Sequence, residues 1–249
     1  MAFNELIIFD LDDTLLNTSD IYWRARTLFA QELQAEGLEA DKVIEVFEEI
    51  EAFNIQEYGF APDRYGKSML DTYNRIANQL GREMKAERLA RIKVYGNMIF
   101  EHLPKLMEGA TELLTWAASH FELSLITRGA LTLQHKKIRR AGLDQYFGFI
   151  EVVEEKNTGT FSKMMESAGY TPDRSWVIGD SIRSDINPGI EAGATCILLS
   201  YQHEFYSWRQ EHGDEAIGPY HKISRLTDAI EVLKSSSEIM LVNARSVTG

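Results

Sequence analysis

The chain has 249 residues, of which 44% are hydrophobic, and its formal net charge is −12. This length suffices for a large core and suggests one or two domains. The acidic charge disfavours nucleic acid and anionic membranes as partners, because both are negatively charged and would repel the protein. Cys196 is the single cysteine, and the sequence shows neither a secretory signal nor an apolar run of about 20 residues. We therefore expect a cytoplasmic protein with no membrane or nucleic-acid partner.

The first predicted element is a strand at residues 6–9, with the sequence "LIIF". The run is continuously apolar and partly β-branched, which is typical of a strand buried on both faces in a parallel sheet. From about residue 19 to residue 103, apolar residues recur three and four positions apart, which predicts four helices and no strand. Gly37 and Gly81 stand where two of these helices would end.

From residue 104 onward, short strands alternate with helices of about ten residues. This alternation predicts βαβ units, and hence an α/β fold with a Rossmann-like, doubly wound parallel sheet. The predicted helices are 108–120, 130–142, 159–169 and 185–193, and the predicted strands are 123–127, 149–153, 175–180 and 195–200.

The helical stretch interrupts the α/β pattern after its first strand. The simplest organisation is an α/β catalytic core formed by residues 1–16 and 104–235, with residues 17–103 inserted as a helical-bundle cap domain. Because both ends of the insertion return to the same sheet, we expect the cap to act as a lid. The segment 236–249 has no clear pattern, and its order stays open.

Three aspartates follow the first strand in the stretch "DLDDT". Ligands of open α/β sheets bind beyond the carboxyl ends of the strands, so Asp10 would lie at a ligand site. Side chains two positions apart in extended chain point the same way, so Asp10 and Asp12 would face one ligand together. Two such carboxylates repel unless a cation intervenes, and their oxygens suit Mg²⁺. By itself the stretch also fits a helix start capped by Asp13 or Thr14.

Polar residues also follow the later predicted strands. Thr127 and Arg128 stand at the end of one strand, Lys156 follows the next, and Asp180 and Asp185 follow a third. Taken singly, Thr127 and Asp185 also fit helix caps, and Lys156 also fits a solvated surface charge. Together they occupy the edge where a parallel sheet builds its site. The set at or just past the strand ends is Asp10, Asp12, Thr127, Lys156, Asp180 and Asp185.

The set resembles the motifs of the haloacid dehalogenase (HAD) superfamily of phosphotransferases and hydrolases. The first motif, Asp-x-Asp-x-Thr after an apolar strand, stands here at residues 10–14. The second, a strand ending in Thr or Ser, is matched by Thr127, and the third, a lysine, is best matched by Lys156. The fourth, Gly-Asp-x-x-x-x-Asp, stands at residues 179–185. The helical insertion is similar to that of the subgroup with an α-helical cap.

The resemblance implies a Mg²⁺-dependent phosphatase that acts on a small phosphorylated metabolite through an aspartyl-phosphate. Asp10 would be the nucleophile, and Asp12 would be the general acid and base. Mg²⁺ would bind Asp10, the Asp12 backbone carbonyl and Asp180. Asp185 would lie behind these ligands and orient Lys156 or a metal-bound water.

The resemblance further implies that Thr127 and Lys156 hold the phosphoryl oxygens, because the transition state needs fixed positive and donor groups there. Two positions depart from the family pattern. Arg128 stands where many relatives carry Asn, so it is a candidate phosphate contact or a residue that points at the lid. Lys156 lacks the proline that commonly follows, so Lys163 stays a minor alternative.

Asp12 favours phosphoryl transfer over dehalogenation, because a halide leaving group needs no acid. A sugar phosphomutase or another HAD-type phosphotransferase would keep the same motifs, and a non-catalytic binding protein would keep the fold. The cap would read the substrate. The stretch "IQEYGFAPDRYGKS" predicts a linker between the second and third cap helices. Arg64, Tyr65 and Lys67 in this linker are candidate substrate contacts, and they also fit a solvated loop. The oligomeric state stays open.

Overall fold

The computed structural model describes residues 3–35, 37–59, 61, 63–200 and 215–235. The chain divides into two compact units. The first comprises Met1–Asn17, Lys105–Arg128 and Ala141–Gly249, and the second comprises Thr18–Pro104 and Gly129–Arg140. The segment 129–140 therefore groups with the helical insertion, whereas the sequence analysis places it in the core. The division into a catalytic core and a cap stays a prediction.

The first unit is built on a parallel sheet, which confirms the predicted α/β fold. In chain order the strands are β1 (Leu6–Phe9), β2 (Leu16–Asn17), β3 (Lys105–Leu106), β4 (Glu122–Arg128), β5 (Phe149–Val153), β6 (Ser175–Gly179), β7 (Thr195–Leu199) and β8 (His221–Ile223). Six of them form one sheet in the order β5-β4-β1-β6-β7-β8, with every neighbouring pair parallel. The short strands β2 and β3 form a separate antiparallel pair.

The helices follow the predicted alternation. In chain order they are α1 (Ser19–Gln34), α2 (Ala40–Tyr58), α3 (Arg64–Gln79), α4 (Ala86–Glu101), α5 (Ala110–Ala117), α6 (Leu131–Arg140), α7 (Thr158–Ala168) and α8 (Asn187–Glu191), and residues 228–235 are also helical. A π-helical turn, Ile182–Ile186, directly precedes α8. The four helices predicted between residues 19 and 103 are present, and the described part of that stretch contains no strand.

The position of β1 explains its composition. All four of its residues are fully buried, and β4 and β6 flank the strand on either side. On one face, Leu6 and Ile8 belong to a core cluster with Phe161 and Met164 of α7. Such a strand has no solvent-facing side, so every position is apolar and the alternation of a half-exposed strand is absent.

The second unit has a hydrophobic core of its own. Helices α1 to α4 share a cluster that includes Phe29, Phe47, Tyr65 and Tyr73. Its inward aromatic and aliphatic residues recur at helical spacing, which is why the sequence predicted helices here. Glycines with positive φ follow α1 and α3, at the two predicted helix ends.

The structure differs from the predicted elements at several places, and β2, β3 and the helix at residues 228–235 were not predicted. Strand β8 is too short, at three residues, to stand out as an apolar run. Helical structure begins at Ile182, three residues before the predicted start at residue 185, because a π-helical turn precedes α8. The predicted linker at 55–68 is mostly helical, because α2 continues to Tyr58 and α3 begins at Arg64. The predicted tail, 236–249, lies outside the described residues.

None of the helices within the described ranges is both long and apolar enough to cross a membrane. The cytoplasmic location and the expected lack of membrane and nucleic-acid partners stay predictions.

Candidate active site

The register of the sheet brings the predicted motifs to one edge. Phe9 of β1 lies opposite Ile178 of β6, and the backbone N–H of Asp10 donates to the Ile178 carbonyl at 2.9 Å. Asp10 therefore leaves the sheet between β4 and β6. Thr127 lies near the end of β4, and Asp180 directly follows β6. Parallel strands place all of these carboxyl ends at the same edge.

A buried lysine joins two buried aspartates at this edge. The Nζ of Lys156 donates to Oδ1 of Asp10, and it lies 2.6 Å from Oδ1 of Asp185. The exposed fractions of the three residues are 7% for Asp10, 7% for Lys156 and 1% for Asp185. Buried charges are tolerated when they are paired, so this arrangement explains how a lysine reaches the interior. The surface interpretation of Lys156 is thereby wrong.

Lys163, the alternative lysine, lies elsewhere. It is part of α7, its side chain is 68% exposed, and it pairs with Glu151 of β5 at 3.2 Å. The lysine that lies at the acidic edge is therefore Lys156.

The turn after β1 folds a hydroxyl back onto Asp10. Asp13 has a left-handed backbone (φ 66°), and its N–H donates to the Leu16 carbonyl at 2.6 Å. This tight turn lets Thr14 Oγ1 donate to Oδ2 of Asp10 at 2.9 Å, in a buried hydrogen bond. From the sequence, Thr14 was expected to belong to the first motif and to cap a helix or support the turn, so its contact with Asp10 was missed. Its signal in the sequence is a hydroxyl residue four positions after the proposed nucleophile.

Asp185 lies inside the π-helical turn and does not cap α8, whose N-cap is Ile186. Its Oδ2 accepts a hydrogen bond from the backbone N–H of Ser181 at 3.1 Å. A Cβ atom at Gly179 would lie 2.4 Å from Asp185 Cγ, so any side chain there would displace the carboxylate. This close approach gives the glycine of the fourth motif its physical reason.

The carboxylates place several oxygen atoms close enough together to hold a cation. One oxygen from each of Asp10, Asp180 and Asp185 lies within 4.8 Å of the others. Burial raises the pKa of Asp10 to about 6, with Asp185 acting in the same direction and Lys156 opposing it. Burial lowers the pKa of Lys156, but Asp10 and Asp185 outweigh burial and raise it above its ordinary value. Excess negative charge on hard oxygen atoms fits Mg²⁺.

The remaining core residues of the predicted set lie at the ends of the same strands. Thr127 is buried near the end of β4, and Arg128, the last residue of that strand, is partly buried. Asp12 is also partly buried, two residues after Asp10, and forms an isolated bridge with Leu16. The positions of these residues agree with the sequence analysis, and their chemical roles stay predictions.

The three candidate substrate contacts of the helical unit do not lie in a solvated loop, so that interpretation is wrong. All three belong to the first turn of α3. Arg64 is buried and pairs with Glu51 of α2. Tyr65 is buried in the core cluster, and its hydroxyl donates to the Tyr22 carbonyl at 2.9 Å. Lys67 pairs with an aspartate one turn further along α3. These contacts support the helical unit, and a role in substrate binding stays a prediction.

Similar proteins of known name include a nucleotidase and a phosphatase. Over 135 residues the chain is 34% identical to the pyrimidine 5'-nucleotidase YjjG of Escherichia coli K12, and the match covers 51% of this chain and 56% of that protein. Over 235 residues it is 23% identical to the glyceraldehyde 3-phosphate phosphatase of Methanopyrus kandleri, covering 92% of this chain and 96% of that protein. The chain thus spans little more than half of YjjG and nearly all of the archaeal phosphatase.

Solved structures share the fold over nearly the whole chain. A haloacid dehalogenase-like family hydrolase from Xanthomonas campestris superposes with a TM-score of 0.74 at 25% identity, covering 96% of this chain and 99% of that one. The magnesium-bound HAD-hydrolase YfnB of Bacillus subtilis gives a TM-score of 0.63 at 19% identity, with 94% and 99% covered.

The model of one protein family matches residues 7–199, which include every motif from Asp10 to Asp185. The match covers well over half of the chain. The protein therefore belongs to the haloacid dehalogenase-like hydrolase family.

Proposed function

We propose that the protein is a Mg²⁺-dependent phosphatase that hydrolyses a small phosphorylated metabolite through an aspartyl-phosphate on Asp10. The observation that carries this proposal is the buried carboxylate of Asp10, with Lys156 on one oxygen and Thr14 on the other. A carboxylate held at both oxygens presents a fixed nucleophile at the sheet edge. The relatives named as a nucleotidase and a phosphatase support this reaction class.

The first step transfers the phosphoryl group to Asp10. A carboxylate oxygen of Asp10 forms a bond to phosphorus in line with the leaving oxygen, and the bond from phosphorus to that oxygen breaks. Asp12, two residues further on, protonates the leaving oxygen. In the second step a water attacks phosphorus, Asp12 accepts its proton, and the bond from phosphorus to Asp10 breaks. Inorganic phosphate and the free Asp10 carboxylate result.

Fixed donors would stabilise the negative charge of the phosphoryl oxygens. Lys156 keeps its proton, because Asp10 and Asp185 raise its pKa, so it contributes a full positive charge beside the nucleophile. Thr127 contributes a hydroxyl near the end of the neighbouring strand. Asp10, the Asp12 carbonyl and Asp180 would hold Mg²⁺, with Asp185 behind them. When bound, the cation would neutralise the crowded oxygens.

The experiment is a screen for phosphate release by the purified protein with Mg²⁺ and with EDTA. The panel would contain pyrimidine nucleoside monophosphates, glyceraldehyde 3-phosphate, sugar phosphates and a generic aryl phosphate. We expect Mg²⁺-dependent release that is lost in Asp10→Asn and falls about 100-fold or more in Asp12→Ala. Asp173→Asn, on an exposed turn of the same unit, is the matched control.

Three results would contradict the proposal. Equal release by wild type and Asp10→Asn would exclude Asp10 as the nucleophile. Isomerisation of a sugar phosphate with little release would indicate a phosphomutase. A folded protein that turns over no phosphate ester would favour the non-catalytic binding function. Trapping the wild-type intermediate with hydroxylamine, followed by mass spectrometry of the peptide that contains Asp10, tests the covalent step directly.

A further inference from the structure

Ser181 makes four hydrogen bonds to the turn that carries Asp185. Its backbone is extended (φ −115°, ψ 122°), and it immediately precedes the π-helical turn. Its carbonyl accepts from the N–H groups of Asp185 and Ile186 at 3.0 and 3.1 Å. Its hydroxyl oxygen accepts from the N–H of Ser184 at 3.0 Å, and its own N–H donates to Oδ2 of Asp185 at 3.1 Å. One residue thus contacts both the backbone and the carboxylate of Asp185.

A chain of hydrogen bonds connects Ser181 to Asp10, the proposed nucleophile. Asp185 uses Oδ2 for Ser181 and Oδ1 for Lys156, and Lys156 in turn donates to Asp10. Asp185 also lies against Gly179 so closely that a Cβ there would be 2.4 Å from its Cγ. The carboxylate therefore has little room to adjust if the turn changes shape.

Wide turns of this kind are rare and are frequently found at functional sites, so the contacts that favour this one over a tighter turn are informative. The Ser181 hydroxyl binds the N–H of Ser184, which leaves the Ser181 carbonyl for the two N–H groups further along. Without the hydroxyl, the N–H of Ser184 can compete for that carbonyl, as it does in a tighter 3₁₀ turn. Tightening the turn would rotate Asp185 away from Lys156.

We propose that Ser181 is a positioning residue whose hydroxyl fixes the π-helical turn, so that Asp185 holds the Lys156 ammonium beside Asp10. The inference rests on the proposed function, in which Lys156 binds the phosphoryl oxygens. Ser181 acts through Asp185 and Lys156.

The first test compares Ser181→Ala with Ser181→Thr, which keeps a capping hydroxyl, and with Ser184→Ala, which keeps the backbone N–H that the cap receives. We expect Ser181→Ala to lower kcat about fivefold, the factor that corresponds to the stability usually lost when an N-cap side chain is removed. Inhibition by inorganic phosphate should weaken by a similar factor. Ser181→Thr should restore both quantities, and Ser184→Ala should match wild type. In an Asp185→Asn background, Ser181→Ala should cause no further loss. Full additivity of the two substitutions would overturn the proposal.

The second test does not depend on activity. Brief acetylation of lysines, read by mass spectrometry, reports whether Lys156 is accessible. Wild type should protect Lys156, whose side chain is 4% exposed, and should label Lys163, which is 68% exposed. Ser181→Ala should raise labelling of Lys156 several-fold, and Ser181→Thr should reverse the change. Unchanged labelling in Ser181→Ala overturns the positioning role. Lack of phosphate release by wild type would overturn the proposed function instead, while the labelling result would still decide the role of Ser181.

Discussion

Helices α3 and α4 cross at two glycines, and the crossing is asymmetric. A Cβ atom added at Gly96 would lie 2.5 Å from Gly66 Cα and 3.4 Å from Gly66 N. A Cβ atom added at Gly66 would lie 3.4 Å from Gly96 Cα. Non-bonded carbon atoms pack at about 3.5–4.0 Å, so Gly96→Ala is too close by about 1 Å, whereas Gly66→Ala nearly fits. The same substitution at two facing residues should therefore have different effects.

The size of the difference follows from two opposing terms. Replacing glycine by alanine inside a helix stabilises it by about 1 kcal/mol. Overpacking costs about 1–3 kcal/mol, and at Gly96 we expect a cost of about 2–3 kcal/mol, because the obstacle is backbone, which cannot rotate away as a side chain can. We therefore expect Gly96→Ala to lower the free energy of unfolding by about 1–2 kcal/mol. Gly66→Ala should be neutral or stabilise the protein by up to about 1 kcal/mol.

Thermal unfolding followed by circular dichroism measures the effect. For a chain of this size, 1 kcal/mol shifts Tm by about 2–4 °C, so Gly96→Ala should unfold several degrees below wild type. Gly66→Ala should unfold at the wild-type temperature or slightly above it, which makes it the matched control. Equal shifts of Tm in both variants, or a Gly96→Ala variant at least as stable as wild type, would show that the close approach at Gly96 does not limit the packing of α3 and α4.

Three further predictions concern single buried groups. Thr14→Val should lower kcat about tenfold or more with little change in KM, because it removes a hydrogen bond to the Asp10 carboxylate. Thr14→Ser should keep the wild-type rate, and a fully active Thr14→Val variant would show that this hydrogen bond does not contribute to catalysis. Ser124→Ala should leave Tm unchanged or raise it, because the buried Ser124 hydroxyl has no hydrogen-bond partner among the described residues; a clear loss of stability would show that it has one. Burial raises the pKa of the Cys196 thiol to about 12 from an ordinary value near 9.0, so native protein at pH 8 should resist iodoacetamide while urea-unfolded protein reacts. The free energy of unfolding should also fall as the pH rises above 9.0, and rapid labelling of native protein would contradict the prediction.

Much of the fold is predictable from local patterns, because burial restricts composition. A strand covered on both faces has no position for a polar residue, which is why "LIIF" alone identifies β1 as a strand buried on both faces. Helical spacing of apolar residues identifies α1 to α4, since each helix turns one stripe toward a shared core. Strand β8 has too few residues to show either pattern.

The candidate site is predictable to the level of residues, because parallel strands align their carboxyl ends. That rule alone gathers Asp10, Thr127 and Asp180 at one edge, whatever the precise register. The rule does not say whether Lys156 is exposed or buried, because both interpretations fit a lysine after a strand. Whether Lys156 is buried depends on its pairing with Asp10 and Asp185, which are 146 and 29 residues away in sequence.

Local patterns in the sequence suffice for the α/β class, the helical insertion and the edge at which the acidic residues meet, because hydrophobic period is a local property and parallel strands share one carboxyl edge. Which atoms touch depends on the tertiary structure. It placed the Thr14 hydroxyl on Asp10, enclosed Asp185 in a π-helical turn held by Ser181, and buried Arg64 against Glu51 within the helical unit. These contacts depend on backbone turns and on partners distant in sequence, and neither leaves a periodic signal in the chain.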